Sequence, residues 1–369
     1  MKKMKVPFND FKTEYEAHRQ ELETAALRVM ASGHYILGPE LEGFERQFAR
    51  YTGSRYVIGV GNGLEALQLT LMALGIKAGD QIITTSLSAV ATALAIRAVG
   101  ATPVFADIDA YFHLDPTDIE KKITDKTRAI LPVHLYGQPA DVKNILALAK
   151  GRGIHVIEDC AQAHGATYGG KHVGTFGIAG CFSFYPTKNL GAFGDAGAIS
   201  TDDAGLAQKC RSLRNYGQKD RYEHELIGMN SRLDELQAAI LAVKLGYLKD
   251  NIARRRKNAA IYLKKLSSIR QISLPEVRPG TEHSWHLFVI KAEDRDGLQK
   301  FLKEKEIDSL IHYPIPIHKQ KCFPEHNADN LPATEARAST ILSLPIHPSL
   351  TEEQVLYVCD QVRSFYEKS

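Results

Sequence analysis

The sequence predicts an α/β protein with a large, mostly parallel sheet between helices, followed by a smaller α/β unit. Between residues 54 and 160, short β-rich runs alternate with helical runs. The β-rich runs are continuously apolar and do not alternate with polar residues, as expected for strands buried on both faces. Such strands, separated by helices, are typical of parallel βαβ units, whose ligands bind beyond the carboxyl ends of the strands.

The elements of the large unit follow one another with clear start and stop signals. Strands are expected, in order, at RYVIGVG, DQIITTS, TPVFADID, TRAILPVHLYG, HVIEDC, CFSFY and AIST. Helices are expected at LEALQLTLMALG, AVATALAIRAVG, DPTDIEKKI and ADVKNILALAKGRG. The first two helices stop at Gly75 and Gly100, and the third begins after Asp115 with Pro116 at its first position.

The C-terminal part has a different organisation. Residues 231–266 show one long helical pattern that can bridge two domains, with a break allowed for near Asp250. Strands are then expected at SWHLFVI and DSLIHYPIP, and helices at DRDGLQKFLKEKEI and TEEQVLYVCDQVRSFYEK. We therefore predict a large domain over residues 1–244, including an N-terminal arm of about thirty residues, and a small domain over residues 245–369.

Composition and charge exclude several classes of function. The net charge is +3, from 46 basic and 43 acidic residues, and the signs are mixed, so neither nucleic acid nor an anionic membrane is an expected partner. No apolar run approaches the ~18 residues of a membrane span, and the N-terminus lacks the apolar core of a secretory signal. The five cysteines are scattered without a C-x-x-C motif, so we expect no disulfide framework, no metal site and a cytoplasmic location.

The stretch GVGNGLEAL, residues 59–67, joins a strand to a helix through a Gly/Asn turn. At the start of that helix the backbone N–H groups of Gly63 and Leu64 would lack partners and would be able to bind a phosphate. The alternative is a plain strand-to-helix turn. Since the spacing matches neither G-x-G-x-x-G nor a Walker loop, a dinucleotide or nucleoside triphosphate site is disfavoured.

Two carboxylates end a buried strand in VIEDCAQAHGA, residues 156–166. A carboxylate at the end of a buried strand must be paired or used. Glu158 and Asp159 are therefore candidates either for a helix cap or salt bridge, or for a partner of a cationic ring nitrogen. Gln162 and His164 follow within reach, and a lone histidine in such a place is more often a packing residue than a base.

A lysine follows the next apolar strand, in CFSFYPTKNLGAFGDAGAIST. Lys188 can be a surface charge, a phosphate contact or an amine nucleophile whose pKa is lowered by burial. Ser183 offers a hydroxyl to an anion in the same stretch. Further on, Asn230 or Ser231 can simply cap the long helix.

The combination of these groups is more informative than any one of them. A phosphate-binding helix start is followed by Asp159 and then, 29 residues later, by Lys188, flanked by Ser183 and glycines. This is the layout of a pyridoxal phosphate (PLP) site, in which a lysine binds the cofactor, a carboxylate pairs with its ring nitrogen and a helix start holds its phosphate.

The chain also resembles a known family, the DegT/DnrJ/StrS sugar aminotransferases, which are PLP enzymes of the aspartate-aminotransferase fold (fold type I). The resemblance covers nearly the whole chain. It is carried by GHYILGPELEGFE, GNGLEALQL, GDQIITTS, GATPVFADID, ILPVHLYGQPAD, VIEDCAQAHGA, FSFYPTKNLGAFGDAGAI, LRNYG, NSRLDELQAAIL and HYPIPIH.

The resemblance implies roles for three side chains around the cofactor ring. Lys188 is similar to the lysine that binds PLP covalently and moves the proton during catalysis. Asp159 is similar to the partner of the ring nitrogen, and Gln162 to the residue beside the ring hydroxyl.

The phosphate contacts and the quaternary structure also follow from the resemblance. Ser183 and the backbone of Gly63 and Leu64 are similar to phosphate ligands. Asn230 resembles a residue that reaches the phosphate from the neighbouring subunit, which implies a homodimer with shared active sites.

One segment departs from the family pattern. Many members carry an aromatic residue that stacks on the cofactor ring in the segment that corresponds to SLSAVAT, where this chain has Ala89. Leu87 or Ser88 are then the residues expected to contribute to covering that face of the ring.

The motifs LPVHLYGQPAD, NYGQKDRYEHELIGMNSRLDE, WHLF and IHYPIPIH most resemble enzymes that act on dTDP-3-keto-6-deoxyhexoses. The resemblance implies transfer of an amino group from L-glutamate, with release of 2-oxoglutarate, to give a dTDP-3-amino-3,6-dideoxyhexose. That sugar would serve a surface glycan, such as a lipopolysaccharide or S-layer glycan, or a glycosylated natural product. Candidates for shaping the sugar pocket are Tyr185, Tyr216, His224, His312, Tyr313 and His318.

Three alternatives stay open from the sequence. The first is the same chemistry at C4 of a nucleotide-linked 4-keto sugar. The second is a PLP-dependent sugar dehydratase, which is disfavoured because those relatives carry histidine where this chain has Lys188. The third is a non-enzymatic sensor of the same fold, for which no basic patch is visible.

Overall fold

The structure, a computed structural model, describes residues 4–367. Its helices are α1 (Phe11–Ala17), α2 (Arg19–Ser32), α3 (Pro39–Thr52), α4 (Gly63–Ala73), α5 (Ala91–Ala98), α6 (Pro116–Lys122), α7 (Val142–Ala149), α8 (Ala204–Leu213), α9 (Glu235–Leu266), α10 (Arg295–Glu304), α11 (Pro332–Thr340) and α12 (Glu352–Glu367). Its strands are β1 (Tyr56–Val60), β2 (Gln81–Thr85), β3 (Thr102–Ala106), β4 (Thr127–Leu131), β5 (His155–Asp159), β6 (Thr167–Tyr168), β7 (Lys171–His172), β8 (Ala179–Ser183), β9 (Gly197–Thr201), β10 (Gln218–Asp220), β11 (Glu223–His224), β12 (Ile272–Ser273), β13 (Thr281–Glu282), β14 (Phe288–Ala292) and β15 (Ile341–Leu344).

The central sheet has seven strands in the order β1-β9-β8-β5-β4-β2-β3. Strand β9 runs antiparallel to both its neighbours, and the remaining strands are parallel to one another. The mostly parallel sheet predicted from the continuous apolar runs is thus confirmed. In the register of β5 with β8, Asp159 lies opposite Cys181, which brings the carboxyl end of β5 beside the strand that leads to Lys188.

Helices cover both faces of this sheet, as its doubly buried strands require. On one face, Leu69 of α4 packs with Ile58 and Ile199 in one hydrophobic cluster. A separate cluster, on α7 and β4, joins Ile145 to Ile130. The candidate site lies at the carboxyl ends of the parallel strands, which is where such sheets bind their ligands.

Helix α9 runs unbroken for 32 residues, so the break allowed for near Asp250 is not found. Its first half contributes Leu241 and Leu248 to a cluster with Phe182 of the central sheet. Its second half contributes Ala259 and Tyr262 to the C-terminal cluster. The helix therefore bridges two cores, and the change of cluster within it lies close to the predicted domain boundary, which stays a prediction.

The C-terminal unit is built on a three-stranded sheet in the order β12-β14-β15. The strand predicted at DSLIHYPIP is wrong: in residues 308–316 only Leu310 forms a bridge, with Ser343. Two prolines in this stretch have no N–H to donate to a ladder, which accounts for its irregular course. The N-terminal arm joins this unit, because Val6 bridges Ile307 and is buried in the C-terminal cluster.

None of the helices within residues 4–367 is both long enough and apolar enough to cross a membrane. All five cysteines are free thiols, and only Cys322 of them is exposed.

Candidate active site

Lys188 lies in the loop between β8 and β9, where its backbone N–H donates to the carbonyl of Tyr185 at 2.8 Å. The side chain is half-buried. Burial lowers the pKa of Lys188 from its ordinary 10.5 to about 8, against the opposing effect of the negative charge on Asp159. The ε-amine is therefore neutral, and nucleophilic, in a much larger fraction of molecules near neutral pH than an ordinary lysine.

Asp159 ends β5 and is buried. One carboxylate oxygen accepts from the Ala161 N–H at 3.1 Å, and the other accepts from the Thr92 hydroxyl at 2.9 Å. Burial raises the pKa of Asp159, while these two donors and the charge of Lys188 act in the opposite direction. A buried carboxylate of this kind is stabilised by a cation placed against it, as a protonated ring nitrogen would be.

The neighbouring carboxylate, Glu158, has a structural role. It accepts from the backbone N–H groups of Gly174, Phe176 and Gly177 at 2.7–2.8 Å. It also bonds to the His134 ring at 2.9 Å. Burial raises the pKa of Glu158, but the hydrogen bonds from His134 and from these backbone groups outweigh burial and hold the pKa below its ordinary value. Of the two uses considered for the pair, Glu158 is paired and Asp159 faces Lys188.

The ligand atoms of His134, Glu158 and Cys160 lie close enough together to hold a metal ion. The donors to Glu158 already use its oxygens, however. In addition, the second ring nitrogen of His134 accepts from the Ala140 N–H at 3.0 Å. These bonds explain the cluster as a buried hydrogen-bond network that orders the 174–177 turn.

The helix start predicted to bind phosphate faces Ser183. Asn62 caps α4 by accepting from the Glu65 N–H at 2.9 Å, so this cap does not use the N–H groups of Gly63 and Leu64. A Cβ added to Gly63 would lie 2.6 Å from Cβ and 3.2 Å from Oγ of Ser183. The two predicted phosphate ligands therefore form one cradle, and only glycine leaves room for it.

Gln162 is held by two parts of the chain. Its carbonyl oxygen accepts from the Tyr136 N–H at 2.8 Å, and its amide nitrogen donates to the Tyr313 hydroxyl at 2.9 Å. These two bonds fix the orientation of the amide. Tyr313 comes from the C-terminal unit, and burial, followed by the charge of Asp159, raises its pKa to about 12. Tyr313 and Gln162 thus share one wall of the site near Asp159.

The segment with Ala89 supplies a hydroxyl chain. Ser88 and Thr92 hydroxyls lie 3.0 Å apart, and Thr92 in turn donates to Asp159. The Leu87 side chain is fully buried in a hydrophobic cluster with Tyr136. Of the two residues expected at the ring face, Ser88 is therefore the one linked to the site.

Two of the candidate sugar contacts lie beside the lysine. Tyr185 is 52% exposed, three residues before Lys188. His312 bonds to the Ser343 hydroxyl at 2.9 Å, and burial, followed by the charge of Lys188, lowers its pKa to about 4. The charge of Lys188 therefore acts on the His312 ring, and Tyr185 offers an exposed hydroxyl in the lysine loop.

The other candidates lie on different surfaces. Tyr216 and His224 belong to an exposed segment around β10 and β11, where the His224 ring bonds to the Tyr216 carbonyl at 3.0 Å. Asn230 is exposed at the end of that segment. His318 is fully buried, with its ring nitrogens bonded to Ser86 at 2.6 Å and to Glu335 at 3.1 Å, which favours a structural role.

Sequence reasoning missed Thr92, Tyr136 and His286. The first two hold Asp159 and Gln162. His286 is buried, and burial, followed by the charge of Lys188, keeps its pKa well below the ordinary value. The sequence signal for His286 was the WHLF motif that contains it. His164 packs against Phe182 and Phe184, as expected for a packing histidine.

Comparison with known proteins agrees with this geometry. The model of the DegT/DnrJ/EryC1/StrS aminotransferase family matches residues 16–363. A dTDP-3-amino-3,6-dideoxy-alpha-D-galactopyranose transaminase of Aneurinibacillus thermoaerophilus is 49% identical over 362 residues, which are 98% of this chain and 99% of the relative. A dTDP-3-amino-3,4,6-trideoxy-alpha-D-glucose transaminase of Streptomyces venezuelae is 47% identical over 370 residues, 99% of this chain and 97% of the relative.

Among solved structures, that of S. venezuelae DesV in complex with ketimine intermediate aligns with a TM-score of 0.97 and 47% identity, covering 99% of each chain. The aminotransferase fold expected from the sequence motifs is thereby confirmed. Since the family match includes the lysine loop and both cores, the protein belongs to the DegT/DnrJ/EryC1/StrS aminotransferase family.

Proposed function

We propose that this protein is a PLP-dependent aminotransferase that moves the amino group of L-glutamate to a dTDP-linked 3-keto-6-deoxyhexose and forms a dTDP-3-amino-3,6-dideoxyhexose. The observation that carries the proposal is the convergence, at one edge of the sheet, of a lysine of lowered pKa, a buried carboxylate and a phosphate cradle. The names of the two relatives, both dTDP-3-amino-sugar transaminases at 47–49% identity, support the substrate class.

The residues present fit PLP. The cradle of Gly63, Leu64 and Ser183 would hold its phosphate, Asp159 would face the ring nitrogen and Gln162 the ring hydroxyl. Bound PLP supplies an electron sink that stabilises negative charge on the carbon that loses a proton.

Lys188 performs the proton transfers. Its Nζ, whose pKa burial lowers to about 8, would hold the cofactor covalently when neutral. When it is not bound to the cofactor, the free amine would take the proton from the α-carbon of the amino donor and hold it for return to the second reacting carbon. After 2-oxoglutarate leaves, the same amine would move a proton in the opposite direction for the keto sugar, as a ping-pong reaction requires.

Asp159 would keep the ring nitrogen of bound PLP protonated. Thr92 and Ala161 each donate one hydrogen bond to its carboxylate, so the carboxylate is oriented before the cofactor enters. A fixed negative charge in a buried site interacts strongly with a cation beside it.

For the sugar we propose contacts from Tyr185, His312 and Tyr313, which lie near Lys188 or Gln162. Tyr216 and His224 are proposed to contact the sugar from the exposed segment. His318 is proposed to support the pocket without contacting the sugar, because its ring nitrogens are bonded to Ser86 and Glu335.

We further propose a homodimer with shared active sites. The segment around β10 and β11 exposes 81% of Tyr222 and 93% of Ile227, an apolar surface that a monomer would leave in water. Asn230, exposed at the end of this segment, would then reach the phosphate cradle of the neighbouring subunit. The cytoplasm remains the predicted location, because the five thiols are free.

The test uses purified protein loaded with PLP. Adding L-glutamate should bleach the visible band of the bound cofactor and release 2-oxoglutarate, while a band unchanged by glutamate would contradict the aminotransferase proposal. Supplying dTDP-3-keto and dTDP-4-keto 6-deoxyhexoses, with product analysis by NMR, then shows which carbon gains nitrogen. Amination at C4 alone would favour the first alternative, and loss of a hydroxyl without nitrogen gain would favour a dehydratase.

A further inference from the structure

Asn189, directly after the catalytic lysine, makes an unusual contact. Its side chain is only 8% exposed. Its amide nitrogen donates to the backbone carbonyl of Ser284 at 3.1 Å, while its own carbonyl oxygen has no hydrogen-bond partner among the described residues. A buried amide that is only half satisfied is a poor choice for stability alone, so the bond to Ser284 needs another explanation.

Two backbone hydrogen bonds also hold the loop that carries the lysine. The Lys188 N–H donates to the Tyr185 carbonyl at 2.8 Å, and the Ala192 N–H donates to the Phe184 carbonyl at 2.7 Å. The backbone at Lys188 is therefore fixed by a turn before it and by the side chain of Asn189 after it. Losing the second attachment would remove the side-chain bond between the lysine loop and residues 284–287.

The carbonyl that Asn189 holds belongs to a segment attached to a second part of the site. Ser284 N–H donates to the Gly137 carbonyl at 2.8 Å, and Leu287 N–H donates to the Tyr136 carbonyl at 3.1 Å. Gly137 has φ +99°, and a Cβ there would lie 2.7 Å from the His286 nitrogen. The close approach of these two segments therefore requires glycine at position 137.

The second part of the site is the wall that carries Gln162. Tyr136 N–H binds Gln162, and Gln162 binds the Tyr313 hydroxyl. A continuous hydrogen-bonded path thus runs from Asn189 through residues 284–287 and Tyr136 to Gln162.

We propose that Asn189 is a positioning residue that fastens Lys188 to residues 284–287, the same segment that holds Tyr136 and Gln162. One segment would then set the distance between the amine and the opposite wall of the site. The effect on turnover rests on the proposed function, which gives Lys188 its catalytic role, whereas the contact between Asn189 and Ser284 does not depend on it. Misplacing a reacting group by about 1 Å can cost on the order of 100-fold in rate, so a rigid attachment of this loop has a catalytic consequence.

The chain offers a matched control. Asn258 in α9 is 4% exposed, and its amide nitrogen donates to the backbone carbonyl of Leu350 at 3.0 Å. Asn189→Ala and Asn258→Ala each remove one buried amide-to-carbonyl bond, and both variants should lose similar thermal stability. Only Asn189→Ala should lower kcat, by about 10- to 100-fold, with the KM for the sugar within about twofold of wild type.

A second readout needs no turnover. In the PLP-free protein, trinitrobenzenesulfonate labelling of Lys188, located by peptide mass spectrometry, should be half-maximal near pH 8. Asn189→Ala should move this midpoint toward the ordinary 10.5, because a released loop exposes the amine, and Asn258→Ala should leave it in place. Gly137→Ala, which forces the two segments apart, should shift the midpoint in the same direction as Asn189→Ala.

Wild-type kcat and labelling midpoint in Asn189→Ala would overturn the proposal. If Asn189→Ala does not fold, Asn189→Leu keeps nearly the size of the side chain and removes the donor without adding a charge beside Lys188, and it should give the same two changes. An Asn189→Leu protein that behaves like wild type would likewise overturn it. Absence of transamination in wild-type protein would refute the proposed function alone, since the labelling comparison would still decide the contact.

Discussion

Replacing Gly63 with alanine tests the phosphate cradle. The added Cβ would lie 2.6 Å from Cβ of Ser183, whereas ordinary contacts begin at 3.4 Å, so the helix start and Ser183 must separate by about 0.8 Å. A phosphate hydrogen bond stretched by that amount is largely lost, and a hydrogen bond to a charged group contributes about 1.5–3 kcal/mol. We therefore expect the Kd of PLP to rise by about 10- to 150-fold.

The assay is a titration of PLP-free protein with PLP, followed by fluorescence quenching, with thermal unfolding measured in parallel. Overpacking by itself destabilises a protein by about 1–3 kcal/mol, so a control for helical glycines is needed. Gly246 in α9 has no neighbour within 4 Å of an added Cβ. Gly246→Ala should leave the Kd unchanged and stabilise the protein by up to about 1 kcal/mol.

Ser183→Ala tests the phosphate site without the steric clash that an added Cβ at Gly63 creates. It deletes the hydroxyl without adding an atom, and it should also raise the Kd of PLP by about tenfold or more. A folded Gly63→Ala protein that binds PLP within twofold of wild type would refute the assignment of the α4 start as the phosphate site.

Three further predictions concern charge and assembly. Glu158→Gln should destabilise the protein by about 2–4 kcal/mol in urea unfolding, because four donors converge on the carboxylate. Since the pKa of Glu158 is held below its ordinary 4.5, the difference in unfolding free energy from wild type should be largest above that pH and should shrink as the pH falls. A difference that persists in acid would contradict this reasoning. Lys188→Met should make the PLP-free protein more stable than wild type by about 1–3 kcal/mol below pH 8, and this difference in stability should disappear as the pH rises toward 10.5. The reason is that a lowered lysine pKa destabilises the folded state only at pH values where Lys188 is more fully protonated in the unfolded chain than in the folded one. A stability difference independent of pH would show that burial of the charge is not its origin. Inactive Lys188→Ala and Asn230→Ala subunits, mixed by refolding, should recover about a quarter of wild-type activity, because half of the dimers would carry one intact site; no recovery would mean that Asn230 does not act across subunits.

Much of the large unit could be predicted from the sequence because its signals are local. Continuous apolar runs between capped helices identify strands buried on both faces, and Pro116 or Gly100 mark where helices begin or end. The same logic fails at residues 308–316, where an apolar run reads as a strand but only Leu310 finds a partner. Whether a run pairs depends on a distant strand and on the missing N–H groups of its prolines, which local pattern does not weigh.

For the site, the sequence by itself determined which groups are present and in what order: a glycine helix start, a carboxylate after a buried strand and a lysine after the next one. Only the tertiary structure decided between Glu158 and Asp159, because the choice depends on which carboxylate receives four donors and which is acted on by the charge of Lys188. The contact of Asp159 with Thr92 spans 67 positions, and that of Asn189 with Ser284 spans 95. Such contacts follow from strand order and domain packing, which no local periodicity encodes. The burial of Lys188 has the same origin, and it lowers the pKa of this lysine to about 8.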